Sequence, residues 1–301
     1  AAGTKVMDLE KTDLSAALAQ GFKFPEPFMV KADDGITDLY GVMFKPFDFD
    51  DTKKYPIIEY VYPGPQTESV SKPFSPRDWQ QTLANVGFVV IEVGNRGGNP
   101  NRSKWYHNYG YGNLRDYGVP DKKAAVEQLA RKYPWIDIDK AAMWGHSGGG
   151  FITADALLRA PYNDFFKVGI SESGNHDQRN YEDDWGERYQ GLLTRNLDGT
   201  DSYDAEANQT LAKNLKGKLL LAHGSMDNNV PFYSTLLVVD ALIKANKDFD
   251  LIIFPNRNHG FGNEPYMVRR RWDYFVKNLL GAEPPGYEMK GPAQAPPASA
   301  Q

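Results

Sequence analysis

The 301-residue chain contains no cysteine. That excludes a disulfide framework, a thiol nucleophile and a cysteine-based zinc site. Long apolar runs are missing too: stretches such as Phe88 to Ile91 and Leu236 to Val239 fall far short of the ~20 residues that span a bilayer. Basic clusters are absent. With 34 Lys and Arg against 39 Asp and Glu, the net charge is -5, which gives no electrostatic reason to hold nucleic acid. There is no solenoid or propeller repeat. Ala1 is followed by neither a basic nor an apolar leader region. A mature or trimmed form fits the same sequence, so the compartment stays open, with periplasm or secretion favoured over cytoplasm. What the chain does have is aromatic residues, 13% in all, including 17 Tyr and 6 Trp. Many sit among polar neighbours, which suits a binding cleft or a partner surface as well as an aromatic core.

Strand-like and helix-like segments alternate. Strands are expected at Phe28 to Lys31, Asp38 to Phe44, Ile57 to Tyr62, Phe88 to Val93, Ala141 to Trp144, Val168 to Ser171, Lys218 to Ala222 and Leu251 to Phe254. Several are apolar at consecutive positions, as expected of strands buried on both faces by covering helices. Helices are expected at Arg77 to Asn85, Val119 to Lys132, Gly149 to Arg159, Tyr233 to Ala245 and Met267 to Leu279. A short one is expected after Thr12-Asp13. This alternation predicts an α/β domain with a mostly parallel sheet covered by helices on both faces.

The sharpest motif is Gly145-His146-Ser147-Gly148-Gly149, between a strand and a helix. This is the G-x-S-x-G elbow in the context it requires. The glycines let strand and helix approach while the serine occupies a strained turn. Its hydroxyl then stands clear of the sheet at a helix N-terminus, and the Gly148 N–H faces a developing oxyanion.

A serine hydroxyl needs a base. Of the five histidines, His107 and His146 precede the serine, and His146 is expected to point away within the elbow. His176 follows too soon, and His223 closes a buried-looking strand. His259 lies in the turn-rich Asn256-Arg257-Asn258-His259-Gly260 after the last strand, where a base can reach the site. Asp227 follows the strand Lys218 to Ala222, 80 residues after Ser147 and 32 before His259. Asp240, Asp248 and Asp250 sit on a helix or at a strand start and read as solvated. Ser147, Asp227 and His259 thus form a candidate catalytic triad.

These residues, with Asp34-Gly35, Val61-Tyr62-Pro63-Gly64-Pro65-Gln66, Glu187-Arg188-Tyr189, His223-Gly224, Asp227-Asn228-Asn229-Val230 and Asn258-His259-Gly260, resemble the catalytic domain of the prolyl oligopeptidase family of serine peptidases, in its dipeptidyl peptidase IV branch. The resemblance runs from about Phe28 to Leu280. It implies an α/β-hydrolase fold, no cofactor, and an oligopeptide substrate with Pro or Ala before the scissile bond. Tyr62 would complete the oxyanion hole with Gly148 N–H. Asn229 would hold a substrate carbonyl, and Val230, Tyr181 and Trp185 would line the proline pocket, with Asn175 nearby. The elbow departs from the family at His146 and Gly148, where aromatics are usual, and residues 173–180 are more polar. The family also carries an N-terminal β-propeller, which supplies the acidic residues for the substrate's amino terminus and which this chain lacks. The expectation is therefore a catalytic domain from a longer enzyme: a junction at 1–20, the hydrolase domain at 21–282 and a Pro-rich tail at 283–301. A homodimer is a further expected partner.

Two other functions remain open. The more open pocket could favour esters or aryl amides, or the chain could be a non-catalytic assembly module using the aromatic segment Asn101 to Asp116. No metal site is expected: Asp48, Asp50 and Asp51 are spaced like part of a calcium loop, but Lys53, Lys54 and a missing Glu argue for a solvated turn. Gly97-Gly98 lacks the Lys-Ser/Thr pair of a phosphate loop.

Overall fold

The computed structural model describes residues 3, 5–70, 75 and 79–290. Its strands are β1 (Glu26–Lys31), β2 (Asp38–Phe44), β3 (Tyr55–Tyr60), β4 (Val89–Val93), β5 (Ile136–His146), β6 (Phe166–Glu172), β7 (Lys218–Gly224) and β8 (Asp250–Phe254). They form one sheet in the order β1-β2-β4-β3-β5-β6-β7-β8. The β1–β2 and β2–β4 pairs are antiparallel, and every pair from β4–β3 onward is parallel. The helices are α1 (Ser15–Ala19), α2 (Trp79–Ala84), α3 (Lys104–His107), α4 (Val119–Lys132), α5 (Gly148–Leu158), α6 (Tyr162–Phe165), α7 (Asp183–Gln190), α8 (Phe232–Lys244) and α9 (Pro265–Phe275). None of the described helices is long and apolar enough to cross a membrane.

The consecutive apolar runs are explained by two cores. In β7, Leu219 and Leu221 face one core while Leu220 and Ala222 face the other; β5 divides Ala141 and Met143 from Ala142 and Trp144 in the same way. The first core is closed by Val126 and Leu129 of α4, Ile152 and Leu157 of α5, and Val238 and Leu242 of α8. The second is closed by Leu83 of α2 and by Met267 and Phe275 of α9. Side-chain alternation along a strand makes such a sheet apolar on both sides, and each buried Leu or Phe contributes about 1.5–3 kcal/mol.

Parallel pairing brings the carboxyl ends of β3, β5, β7 and β8 to one edge, so the loops after them converge there. Two polar ties fix the first face. Lys122 of α4 lies 3.3 Å from Glu59 of β3, both fully buried, and donates to the Val93 carbonyl. Asp121 takes a forked bond from Arg96 beyond β4, with Nη2 at 2.7 Å.

Most expected elements are present with shifted ends. β3 stops at Tyr60, so Tyr62 lies two residues beyond it, and β5 extends in both directions, to Ile136 and His146. Helix α2 begins at Trp79; Arg77, where a helix start was expected, lies outside the described residues. Residues 283–290 have neither helix nor strand, and the rest of the Pro-rich tail, 291–301, lies outside the described residues. Helices α3, α6 and α7 carry no clear sequence period because they span only one or two turns. Asp50, read as a solvated turn residue, accepts from Thr52 N at 3.0 Å.

Candidate active site

Ser147 stands between β5 and α5 with φ 58° and ψ -122°. A non-glycine residue at positive φ is strained by about 1–3 kcal/mol, and such strain clusters at functional sites. The turn is held by Ser147 N donating to Glu172 O at 2.8 Å and Phe151 N donating to Ser147 O at 3.0 Å. Close approach dictates its glycines: a Cβ on Gly145 or Gly149 would collide with the Val61 carbonyl, and one on Gly150 with that of Glu172. Gly148 differs. A Cβ there would make only ordinary contacts, with the Tyr62 ring at 3.6 Å and the Gly64 carbonyl oxygen at 3.8 Å.

That contact also locates Tyr62, whose ring lies beside the Gly148 backbone at the start of α5. Burial, with Tyr189 adding to it, pushes the Tyr62 phenol pKa up. The hydroxyl therefore stays a donor through the neutral range.

Asp227 lies three residues past β7, buried. Its Oδ1 accepts from Asn229 N at 3.0 Å and Val230 N at 2.9 Å. Its Oδ2 lies 2.7 Å from His259 Nδ1. Burial opposes ionisation, but the bonds from His223 and His259, the charge at His259 and the backbone donors outweigh it, so the carboxyl pKa falls well below the usual range. An ionised carboxylate at Nδ1 leaves His259 Nε2 as the nitrogen free to accept a proton.

His146 does not point away from the site. Because β5 runs on to residue 146, its side chain follows the alternation of Trp144 onto the α9 side, where the His259 loop lies. The two imidazole rings are 4.5 Å apart, edge to face. Behind His146, Glu172 is 3.6 Å from Nδ1 and paired with Arg271 at 2.6 Å. His146, Glu172, Arg271, Trp144, Tyr60 and Gly260 help line a cavity of about 320 Å³.

On the α5 side, Tyr181, Trp185 and Tyr189 form a ladder of edge-on rings with centroids 5.4 and 5.3 Å apart. Exposed Asn229 accepts from the Tyr181 hydroxyl at 3.4 Å. Val230 and Asn175 are buried. Val230 contributes its backbone to Asp227, and Asn175 pairs with Gln178, whose Nε2 donates to its carbonyl at 3.2 Å. The structure thus places the Tyr62 ring beside Gly148, joins His259 to Asp227, packs the His259 ring on His146, the residue before Ser147, and groups Tyr181 with Trp185 and Asn229.

Comparison with known proteins decides the family. The model of the prolyl oligopeptidase family matches residues 75–282. The chain belongs to the prolyl oligopeptidase family. It is 31% identical over 237 residues to dipeptidyl peptidase 8 of Homo sapiens, a match covering 78% of this chain and 26% of that protein. A probable dipeptidyl-aminopeptidase B of Trichophyton verrucosum is 30% identical over 276 residues, 91% of this chain and 30% of the relative. Among solved structures, a putative dipeptidyl aminopeptidase IV from Bacteroides ovatus superposes with a TM-score of 0.78 at 31% identity, over 86% of this chain and 36% of that one. Dipeptidyl peptidase 4 of Porphyromonas gingivalis gives 0.78 at 29%, over 89% and 38%. The chain therefore spans between about a quarter and two fifths of the length of these relatives. The doubly covered, mostly parallel sheet is the α/β-hydrolase fold of the prolyl oligopeptidase family.

Two residues beside the site escape sequence reasoning. His223 lies 3.2 Å from Asp227 Oδ2; its one visible signal is a histidine four residues before the acid. Thr235, a helix residue without a motif, lies 2.7 Å from His223 Nδ1.

Proposed function

We propose that this chain carries a serine-peptidase site that cleaves short peptides through an acyl-enzyme. Ser147 Oγ attacks the scissile carbonyl while His259 Nε2 takes the hydroxyl proton. The imidazolium keeps its Nδ1–H on Asp227, which stays ionised. The oxyanion forms between the Tyr62 hydroxyl and the Gly148 N–H. Collapse expels the leaving amine, which takes the proton from His259 and leaves the acyl group on Ser147. Water, deprotonated by His259, then attacks the acyl carbon, and collapse returns that proton from His259 to Ser147 Oγ and releases the acid.

The observation that carries this reading is the 2.7 Å bond between His259 and Asp227, set against an elbow whose serine has φ 58°. The names of the relatives point to release of dipeptides. In this reading Tyr181 and Trp185 wall the pocket for Pro or Ala, with Val230 and Asn175 packed beneath it, and Asn229 holds a substrate carbonyl. In this reading an N-terminal β-propeller and a second copy of the chain are the expected partners of the domain. Ser147→Ala should abolish labelling by a fluorophosphonate probe; labelling equal to wild type would rule Ser147 out. Free and N-blocked X-Pro anilides then test for dipeptide release.

The bare Gly148 favours a second reading. Its Cβ position is unobstructed, so a side chain is missing there and not excluded, and the acyl pocket is correspondingly wider. Ester hydrolysis would then dominate. Comparing kcat/KM for p-nitrophenyl acetate with those for Ala-Pro and Gly-Pro anilides separates the two.

A further inference from the structure

Two imidazoles, and not one, converge on the candidate catalytic carboxylate. His223, the penultimate residue of β7, is fully buried. Its Nε2 lies 3.2 Å from Asp227 Oδ2 and 3.0 Å from the Val230 carbonyl oxygen. Neither of these atoms carries a proton, so Nε2 must. Its Nδ1 is 2.7 Å from the hydroxyl of Thr235, itself buried on α8, and shares a hydrogen bond with it. The ring is edge-on to Phe232 at 5.5 Å. Both nitrogens of His223 are thus committed, and Phe232 packs on its ring.

We propose that His223 is a positioning residue: an imidazole whose Nε2–H, aimed by Thr235, holds the Asp227 oxygen that His259 uses. This rests on the reading of Asp227 and His259 as the acid–base pair. With Oδ1 occupied by two backbone N–H groups and Oδ2 held by His223, the carboxylate cannot turn, and the remaining direction on Oδ2 is left to His259. The bond from His223 also draws charge from Oδ2 and so moderates the basicity that Asp227 confers on His259. Loss of that donor should misdirect the pair and keep His259 protonated to higher pH.

The charged and titratable groups facing this cluster stay in place in the variants. They are His146 from the elbow with Glu172 and Arg271 behind it, and His176 and Tyr181 from the segment after β6.

The test compares His223→Phe, which keeps an aromatic ring but has no donor, with His223→Gln, whose amide N–H can reach the same oxygen, and Thr235→Val, which frees the ring. In His223→Phe, kcat should fall roughly 10²-fold with KM little changed, and the acid limb of kcat/KM should rise by about half to one pH unit. His223→Gln should restore most of kcat and the wild-type limb. Thr235→Val should shift the limb in the direction of His223→Phe, but less. The second readout is independent of turnover: the strongly deshielded Nδ1 proton of His259, assigned by its loss in His259→Gln. It should titrate at higher pH in His223→Phe than in wild type or His223→Gln. Activity that only tracks the folded fraction, with an unmoved limb and proton signal, would overturn the proposal, as would His223→Gln behaving like His223→Phe. A wild-type chain that shows the proton signal but neither labels nor turns over substrate would instead sink the peptidase reading.

Discussion

Gly224 packs its bare α-carbon against the carbonyl oxygen of Asn258: a Cβ built there would stand 2.5 Å from it. At this contact the end of β7 meets the loop after β8; Asp227 follows three residues after Gly224, and His259 comes directly after Asn258. Ser225 N donates to Phe254 O and Met226 N to Arg257 O, both at 2.9 Å. The backbone of the acid's loop is thus tied to that of the base's loop before any side chain is considered. Gly224→Val should push the loops apart and destabilise the fold by about 1–3 kcal/mol. In the fraction that remains folded, kcat should fall while KM holds. Thermal melts and turnover on the same sample check this; wild-type turnover would show that the contact is not needed to join the pair.

Asp227→Asn removes the charge that faces His259 and replaces one acceptor oxygen with a donor. The imidazole then loses its fixed tautomer. A fall in kcat of about 10⁴-fold is expected, and labelling by a fluorophosphonate should slow in parallel. Stopped-flow and gel-based labelling give the two rates.

Tyr62→Phe deletes one proposed oxyanion donor and leaves the ring beside Gly148 in place. The expected loss is ~10²–10³ in kcat with little change in KM, because the bond strengthens only as the oxyanion forms. Steady-state kinetics on one anilide suffices, and a change confined to KM would contradict the role.

His176 predicts an acid limit to stability. Burial, with His223 close by, pushes its pKa down from 6.5 to about 3, so it stays neutral when folded while the unfolded chain takes up a proton. Its stabilising contribution is fully present above pH 6.5 and is lost as the pH falls from 6.5 toward 3, by up to about 1.4 kcal/mol per unit. His176→Gln, which keeps an acceptor for the Asn208 amide now 2.9 Å away, should flatten that slope. Urea melts between pH 7 and 4.5 compare the two proteins.

Lys122→Met strips the partner from fully buried Glu59, 3.3 Å away. Leaving a buried carboxylate unpaired costs about 3–5 kcal/mol. Replacing both residues with apolar ones of similar volume should recover most of the loss. A double-mutant cycle by chemical denaturation measures the coupling.

Much of this architecture is legible in the residues. The run Leu219-Leu220-Leu221-Ala222 reads as a strand buried on both faces, because it is too short for a buried helix and is closed by Gly224. The elbow is legible for a similar reason: where strand and helix nearly touch at Val61, only glycine fits at 145 and 149. His146 is harder to read. Whether it faces the site depends on where β5 ends, and strand ends are set by pairing with β6, here Gly145 with Ser171 and His146 with Glu172. His223 is hidden by its own surroundings, since a histidine inside an apolar strand reads as a core residue until its neighbours are known.

The sequence by itself determined the alternating α/β order, the strained serine turn and the chain order of Ser147, Asp227 and His259, since all of these are local patterns of size, polarity and backbone freedom. Only the tertiary structure decided what meets at the sheet edge. It brings residue 227 to residue 259, turns His146 toward His259, and sets His223 and Thr235 behind the carboxylate. Parallel pairing of β5 to β8 makes those meetings, and pairing acts between segments whose sequences carry no record of each other's direction.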